Sequence, residues 1–137
     1  MPDVLHETRI SVRWGDQDAL GHVNNASYFT YIEQARIEWM ESITKDEPWP
    51  AAAVGGPILA SASMQFRRPV VYPATVRVLS YTAHVGRTSF TVRNELRTQA
   101  DGALAAEATA VVVWVDRDGR PTPLPPTLRE ALGEPDA

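Results

Sequence analysis

Only one stretch of this 137-residue chain repeats its apolar residues at a helical period. Tyr28, Tyr31, Ile32, Ala35 and Trp39 fall at i, i+3, i+4, i+7 and i+11, which is one apolar face of an α-helix. Asn24 or Asn25 suits the start, because an Asn side-chain oxygen accepts from a free helical N–H. The spacing predicts an end near Ser42, a rod of ~18 residues and roughly 27 Å. The remaining apolar patterns alternate at period two, so the chain has to be a sheet covering a single helix. A chain of this length is one domain and buries roughly two thirds of its unfolded surface.

The strands read in order. Thr8 to Trp14 alternates, with Ile10, Val12 and Trp14 on one face, and Gly15 breaks it. After the helix, Lys45 to Pro57 carries three prolines and two glycines. It reads as a loop long enough to wall or cover a site. Four strands follow. Ile58 to Phe66 places Ile58, Ala60, Ala62, Met64 and Phe66 on one face. Thr75 to Val85, Thr88 to Thr98 and Leu104 to Val115 come next, joined at Gly86-Arg87 and at the hairpin signal Asp101-Gly102. Phe90, Val92 and Leu96 point inward. The fold class is α+β with antiparallel connections.

Val111 to Val115 is apolar on both faces, whereas an antiparallel sheet normally leaves one face to water. With one helix available, the other face calls for a second subunit, hence a homodimer or a tetramer. Beyond Asp116 the chain is rich in proline and charge, with a turn at Asp118-Gly119 and at most one helical turn at Leu128 to Leu132. The expected organisation is a single domain over 1–137, with its core at about 6–125 and a tail at 126–137.

Charge and composition exclude several classes. A net charge of −4 gives no pull toward nucleic acid or an anionic membrane. The absence of cysteine removes disulfides, thiolate metal sites and a cysteine nucleophile. The first residues have no basic and apolar leader, and no stretch reaches the ~18 apolar residues that span a bilayer. A cytoplasmic protein without membrane insertion is the expectation.

The chemistry concentrates in Arg13-Trp14-Gly15-Asp16-Gln17-Asp18-Ala19-Leu20-Gly21-His22-Val23-Asn24-Asn25-Ala26-Ser27-Tyr28. Counted as a calcium loop from Asp16, the fifth and twelfth positions are Leu20 and Ser27, which cannot ligate through carboxylates. A two-carboxylate Mg²⁺ site is left open. His6, His22 and His84 lack zinc spacing. No nucleophile elbow, P-loop or dinucleotide fingerprint is present. What remains is a carboxylate before a helix N-terminus. The free N–H groups there can hold a carbonyl oxygen as it becomes an oxyanion. A nearby carboxylate can attack the carbonyl or activate water. The same residues also suit a purely structural loop, with Asp16 and Asp18 as turn residues and His22 bonded to backbone.

The string Asp16-x-Asp18-x-x-Gly21-His22-Val23-Asn24-Asn25 opening a helix, followed by Tyr28, Tyr31 and Glu33-Gln34-Ala35-Arg36, resembles the hotdog-fold acyl-CoA thioesterases. The branch is that of 4-hydroxybenzoyl-CoA thioesterase and the bacterial long-chain acyl-CoA thioesterases. The similarity runs on through Phe66-Arg67-Arg68-Pro69 and Val85-Gly86-Arg87-Thr88-Ser89-Phe90, and covers roughly residues 6 to 125. It implies a curved five-stranded antiparallel sheet wrapped around one long helix, with subunits joined edge to edge and sites at the subunit boundary. It implies hydrolysis of acyl-CoA to acid and CoA, with CoA as part of the substrate and neither cofactor nor metal. By the same resemblance Asp18 is the catalytic carboxylate and Asn25 supplies the polarising amide. Asp16, His22 and Asn24 support the loop. Arg87, Thr88 and Ser89 sit in a connection that resembles the family's pantetheine and phosphate contact. Arg67 and Arg68 are candidates for the nucleotide phosphates, and Tyr28, Tyr31 and the loop near Trp49 for lining the acyl pocket, with core packing as the competing role of the two tyrosines. Smaller residues at His22 to Asn25 than in the 4-hydroxybenzoyl enzyme favour a fatty over an aromatic acyl group. The alternatives are a hotdog dehydratase or hydratase using His22, and a non-catalytic acyl-CoA-binding subunit.

Overall fold

The structure, a computed structural model, describes residues 3–43 and 55–135. In chain order the elements are β1 (His6–Ser11), α1 (Asn25–Ile43), β2 (Gly56–Phe66), β3 (Thr75–Val85), β4 (Ser89–Thr98), β5 (Leu104–Val115) and α2 (Pro126–Leu132). The strands form one sheet in the order β1-β3-β4-β5-β2. Every pair is antiparallel. This is the α+β hotdog arrangement that the resemblance implies, five strands around one long helix.

The helix buries Tyr28, Tyr31, Ile32, Ala35, Trp39 and Met40. Its first half packs with Val12, Val23, Val70, Val76, Val78, Leu96 and the alanines of β5. Its second half packs with Phe90, Val92, Val112 and three leucines from the C-terminal segment. Small side chains at Ala105, Ala106 and Ala108 let the rod lie close to the sheet. Register breaks at Leu59/Ser61, Thr82/His84 and Leu96/Arg97 act as bulges, which bend a strand and increase its twist.

The structure differs from the sequence expectations in four places. β1 stops at Ser11, and residues Trp14–Asp16 form a 3₁₀ turn. Trp14 is therefore 75% exposed instead of continuing the inward face of Ile10 and Val12. The Asp16 carboxylate, accepting from the Arg13 N–H at 2.9 Å, closes that turn and ends the strand. In β2 the bulge at Leu59/Ser61 interrupts the alternation, and Ile58 and Leu59 are both exposed.

The third difference concerns the apolar strand end. Val112 is buried and Val111, Val113, Trp114 and Val115 are half-buried within the single chain, because β5 lies between β4 and β2. The exposed apolar residues of the sheet are instead Ile58, Leu59 and Phe66 on the edge strand β2. Among the described residues, the large apolar side chains that the sheet leaves exposed lie on that edge.

Fourth, the boundary drawn at residue 126 falls inside packed structure. α2 buries Leu128 and Leu132 against Trp39 and Met40. The helical turn expected at Leu128 to Leu132 is a seven-residue helix, Pro126–Leu132, whose leucines are spaced to face the core. Most of the expected covering loop, including Trp49, lies outside the described residues. Its end is described: Gly55 has φ of 85°, and a Cβ there would sit 2.2 Å from the Val115 carbonyl oxygen. Only glycine fits. Among the described residues no helix is long and apolar enough to cross a membrane.

Candidate active site

The polar loop between β1 and α1 is built in two parts. The first is centred on Asp16, which is 8% exposed. Its Oδ2 accepts from the Arg13 N–H at 2.9 Å and from the Tyr31 hydroxyl at 2.7 Å. The Arg13 guanidinium lies 3.4 Å from Oδ1. The Asp16 carbonyl accepts from the Asn24 N–H at 2.8 Å and from the Ser27 hydroxyl at 3.4 Å. Burial pushes the Asp16 carboxyl up. The Arg13 amide, the Tyr31 hydroxyl and the Arg13 guanidinium outweigh it and hold the group below the usual carboxylate range. Burial first, and the adjacent Asp16 carboxylate second, keep the Tyr31 phenol protonated. Asp16 is thereby committed to joining the 3₁₀ turn, the loop and α1.

The second part carries Asp18. Gln17 and Val23 form an antiparallel bridge. Inside it the Asp18 N–H donates to the His22 carbonyl at 3.0 Å and the Gly21 N–H to the Asp18 carbonyl at 3.1 Å. Gly21 takes φ of 83°, which glycine adopts without steric cost. The Leu20 N–H donates to Asp18 Oδ1 at 2.9 Å. Asp18 is exposed, and among the described residues its Oδ2 has no partner. Two bonds pin this miniature hairpin to the β2–β3 connection. The Val23 N–H donates to the Val70 carbonyl at 2.8 Å, and the Tyr72 N–H donates to Gln17 Oε1 at 3.0 Å.

The helix start completes the loop. Asn24 Oδ1 accepts from the Ala26 N–H at 2.9 Å, so Asn24 is the N-cap. The next amide, that of Asn25, has no acceptor among the described residues. It belongs to the first residue of a 19-residue helix, where unpaired N–H groups carry partial positive charge. His22 is exposed and contributes its carbonyl to the hairpin.

The other candidate residues are distributed as follows. Tyr28 is a core residue, edge-on to Phe66 with ring centroids 5.2 Å apart. Burial raises its phenol above the ordinary range. Arg67 donates to Glu107 Oε2 at 2.8 Å, and Arg68 lies 3.4 Å from Asp101. Both pairs are exposed, where such pairs contribute little and exchange readily. Arg87, Thr88 and Ser89 lie at the other end of the sheet. β1 ends against Thr75, whereas the 86–88 turn follows Val85. Within one chain these groups are separated by the length of β4, about 30 Å.

The sequence pattern puts Tyr31 on the apolar helix face and in the family motif but does not reveal its bond to Asp16. Its hydroxyl binds Asp16 from fifteen residues away. The available signal was chemical, since a buried tyrosine hydroxyl needs a partner. Among the described residues no group of three His, Asp or Glu side chains is placed to hold a metal ion.

Comparison with known proteins bears on this arrangement. The pattern of the thioesterase-like superfamily matches residues 12–132. The chain is 26% identical over 127 residues to the long-chain acyl-CoA thioesterase FadM of Escherichia coli, spanning 92% of this chain and 96% of that one. Among solved structures, a proposed thioesterase from Pseudomonas aeruginosa is 38% identical, with a TM-score of 0.88 over 96% of this chain and 100% of that one. A Thermus thermophilus thioesterase complexed with coenzyme A and Zn is 33% identical, with a TM-score of 0.82 over 96% of this chain and 100% of that one.

Proposed function

The chain belongs to the thioesterase-like superfamily and is a thioester hydrolase of the acyl-CoA type; on that premise we propose that it splits fatty acyl-CoA with Asp18 as the reacting carboxylate. The thioester carbonyl oxygen is received by the Asn25 N–H, where the helix terminus favours the negative charge that develops on it. Asp18 then acts in one of two ways. As nucleophile it forms a mixed anhydride and expels the CoA thiolate, and water cleaves the anhydride. As general base it takes a proton from the water that attacks the carbonyl. Either course consumes one water and yields a carboxylic acid and CoA.

The observation that carries this reading is the contrast between the two carboxylates. Asp16 has both oxygens engaged by Arg13 and Tyr31. Asp18 is exposed, and among the described residues its carboxylate is bonded only through Oδ1 to a backbone amide. Of the two carboxylates, the open one lies on the loop that leads into the Asn25 amide, which has no acceptor among the described residues.

A second copy of the chain completes the site in this proposal. β2 is an edge strand bearing exposed Ile58, Leu59 and Phe66. An unpaired edge of this kind is a template for another strand. Two-fold antiparallel pairing of β2 with its copy sets the Phe66 end of one chain beside the Gly56 end of the other. Because Gly56 pairs with Val115 and Ser89 with Val113, the Asp18 loop of one subunit then faces the Arg87–Ser89 turn of the second. Three strand spacings, about 14 Å, separate β2 of one subunit from β4 of the other in this pairing. In this arrangement Arg87, Thr88 and Ser89 meet the phosphates of CoA, with Arg67 and Arg68 beside the loop.

The test is a panel of acyl-CoAs of graded chain length with detection of the freed thiol. Turnover of fatty acyl-CoAs that disappears in Asp18→Asn supports the reading. Wild-type turnover in that variant overturns the assignment of Asp18, and no thiol release from any acyl-CoA overturns the activity.

A further inference from the structure

The turn between β3 and β4 has an unusual hydrogen-bond account. All four of its consecutive carbonyls are taken by protein donors. The Gly86 carbonyl accepts from Arg129 Nη2 at 2.8 Å. The Arg87 carbonyl accepts from the Leu124 N–H at 3.0 Å and from the same Arg129 nitrogen at 3.3 Å. The Thr88 carbonyl accepts from the Trp114 N–H at 2.8 Å, and the Ser89 carbonyl from the Gly86 N–H at 2.8 Å.

What the turn has left to offer is donors. The N–H groups of Arg87 and Thr88 have no acceptor among the described residues. The Arg87 side chain is exposed and has no ion pair among them. Thr88 and Ser89 add two hydroxyls to this segment. A turn whose acceptors are occupied and whose donors are free presents positive potential, and phosphate oxygens are its natural complement.

Two of those four carbonyls are held by one side chain from outside the turn. Arg129 sits on α2, which is anchored by Leu128 and Leu132 in the core and by the Thr82 hydroxyl donating to the Leu132 carbonyl at 2.6 Å. The bonds from Leu124 and Arg129 therefore tie the turn to a fixed support. We propose that Arg129 is a positioning residue. Through the Gly86 and Arg87 carbonyls it orients the donor face of the 86–89 turn toward the phosphate-bearing half of CoA. The inference rests on the assignment of that turn to CoA made above. It extends it by giving α2 a share in substrate affinity.

The test compares acyl-CoA with the matching acyl-pantetheine, which lacks the nucleotide, in the wild-type protein and in Arg129→Ala, Arg129→Lys, Arg87→Ala and the Arg87/Arg129 double variant. Arg129→Ala is expected to raise KM for acyl-CoA about tenfold, the effect of one lost charge-assisted bond. Its kcat and its KM for acyl-pantetheine should stay as in the wild type. Arg129→Lys, keeping one donor, should recover part of the affinity. The two alanine substitutions should be less than additive, because one acts through the other. An unchanged KM for acyl-CoA in Arg129→Ala, while Arg87→Ala raises it, overturns the role of Arg129 alone. An equal rise for both substrates overturns it too, since that marks a general loss of structure. A wild-type protein that treats the two substrates alike removes the assignment of the turn itself.

Discussion

The hydroxyl of Tyr31 donates a 2.7 Å hydrogen bond to Oδ2 of Asp16, joining the second turn of the central helix to the loop in front of it. With the Arg13 amide on the same oxygen, this bond separates two carboxylates two residues apart into different chemical situations. Asp16 is buried and committed, and Asp18 is exposed.

Removing that hydroxyl should weaken the fold. Tyr31→Phe keeps the ring and takes away one bond to a buried charge, which costs about 1.5–3 kcal/mol. Urea unfolding monitored by tryptophan fluorescence measures it. A variant as stable as the wild type would show that the bond contributes nothing.

The same carboxylate gives a pH dependence of known sign. Asp16 has a folded pKa below its ordinary 3.8, so the folded state holds the ionised form better than the unfolded chain does. Its contribution is complete well above pH 3.8 and is lost as the pH falls through the lower folded value. Unfolding free energy should therefore decline more steeply for the wild type than for Asp16→Asn below about pH 5. Equal slopes would contradict the shift.

Asp18→Asn should act on catalysis instead. Loss of the reacting carboxylate is expected to reduce kcat by about 10²–10⁴-fold, with CoA affinity by calorimetry and unfolding free energy close to the wild type. A stability loss as large as that of Asp16→Asn would mean that both carboxylates are structural.

Hydrolysis should be indifferent to chelation, because the proposed steps use only Asp18, the Asn25 amide and water. Thiol release assayed after dialysis against EDTA is expected to match the untreated protein. Activity lost on chelation and restored by Zn²⁺ or Mg²⁺ would revive a metal site at Asp16 and Asp18.

The edge strand offers a test of assembly. Light scattering should give at least a dimer for the wild type. Leu59→Asp, which puts a charge on an edge residue 46% exposed in the single chain, should shift it toward monomer. Activity should fall in parallel, since the proposed site is divided between two chains. A fully active monomer would refute that division.

Much of this molecule is visible in local sequence. The bounds of β3 and β5, Thr75–Val85 and Leu104–Val115, follow from alternation and the flanking turn residues. The buried face of α1 follows from 3.6-residue spacing, because both periods are properties of the backbone that a few neighbouring residues express. The motif at Asp16 to Asn25 was legible too, as a loop with two carboxylates before a helix.

Other features were outside the reach of local pattern. The end of β1 at Ser11 depends on a side chain at Asp16 folding back on Arg13. The place of α2 depends on a gap beside Trp39 and Met40 that only the packed helix and sheet create. The exposed apolar surface was expected on β5 and lies on β2, because strand order decides which strand becomes an edge. By itself the sequence determined the elements, their apolar faces and the loop that carries the chemistry, since adjacent residues dictate backbone conformation. The tertiary structure alone decided which carboxylate is committed, which strand is left unpaired and what holds the 86–89 turn. Those outcomes rest on contacts between distant residues, where burial and hydrogen bonding choose among partners that the local chain leaves equivalent.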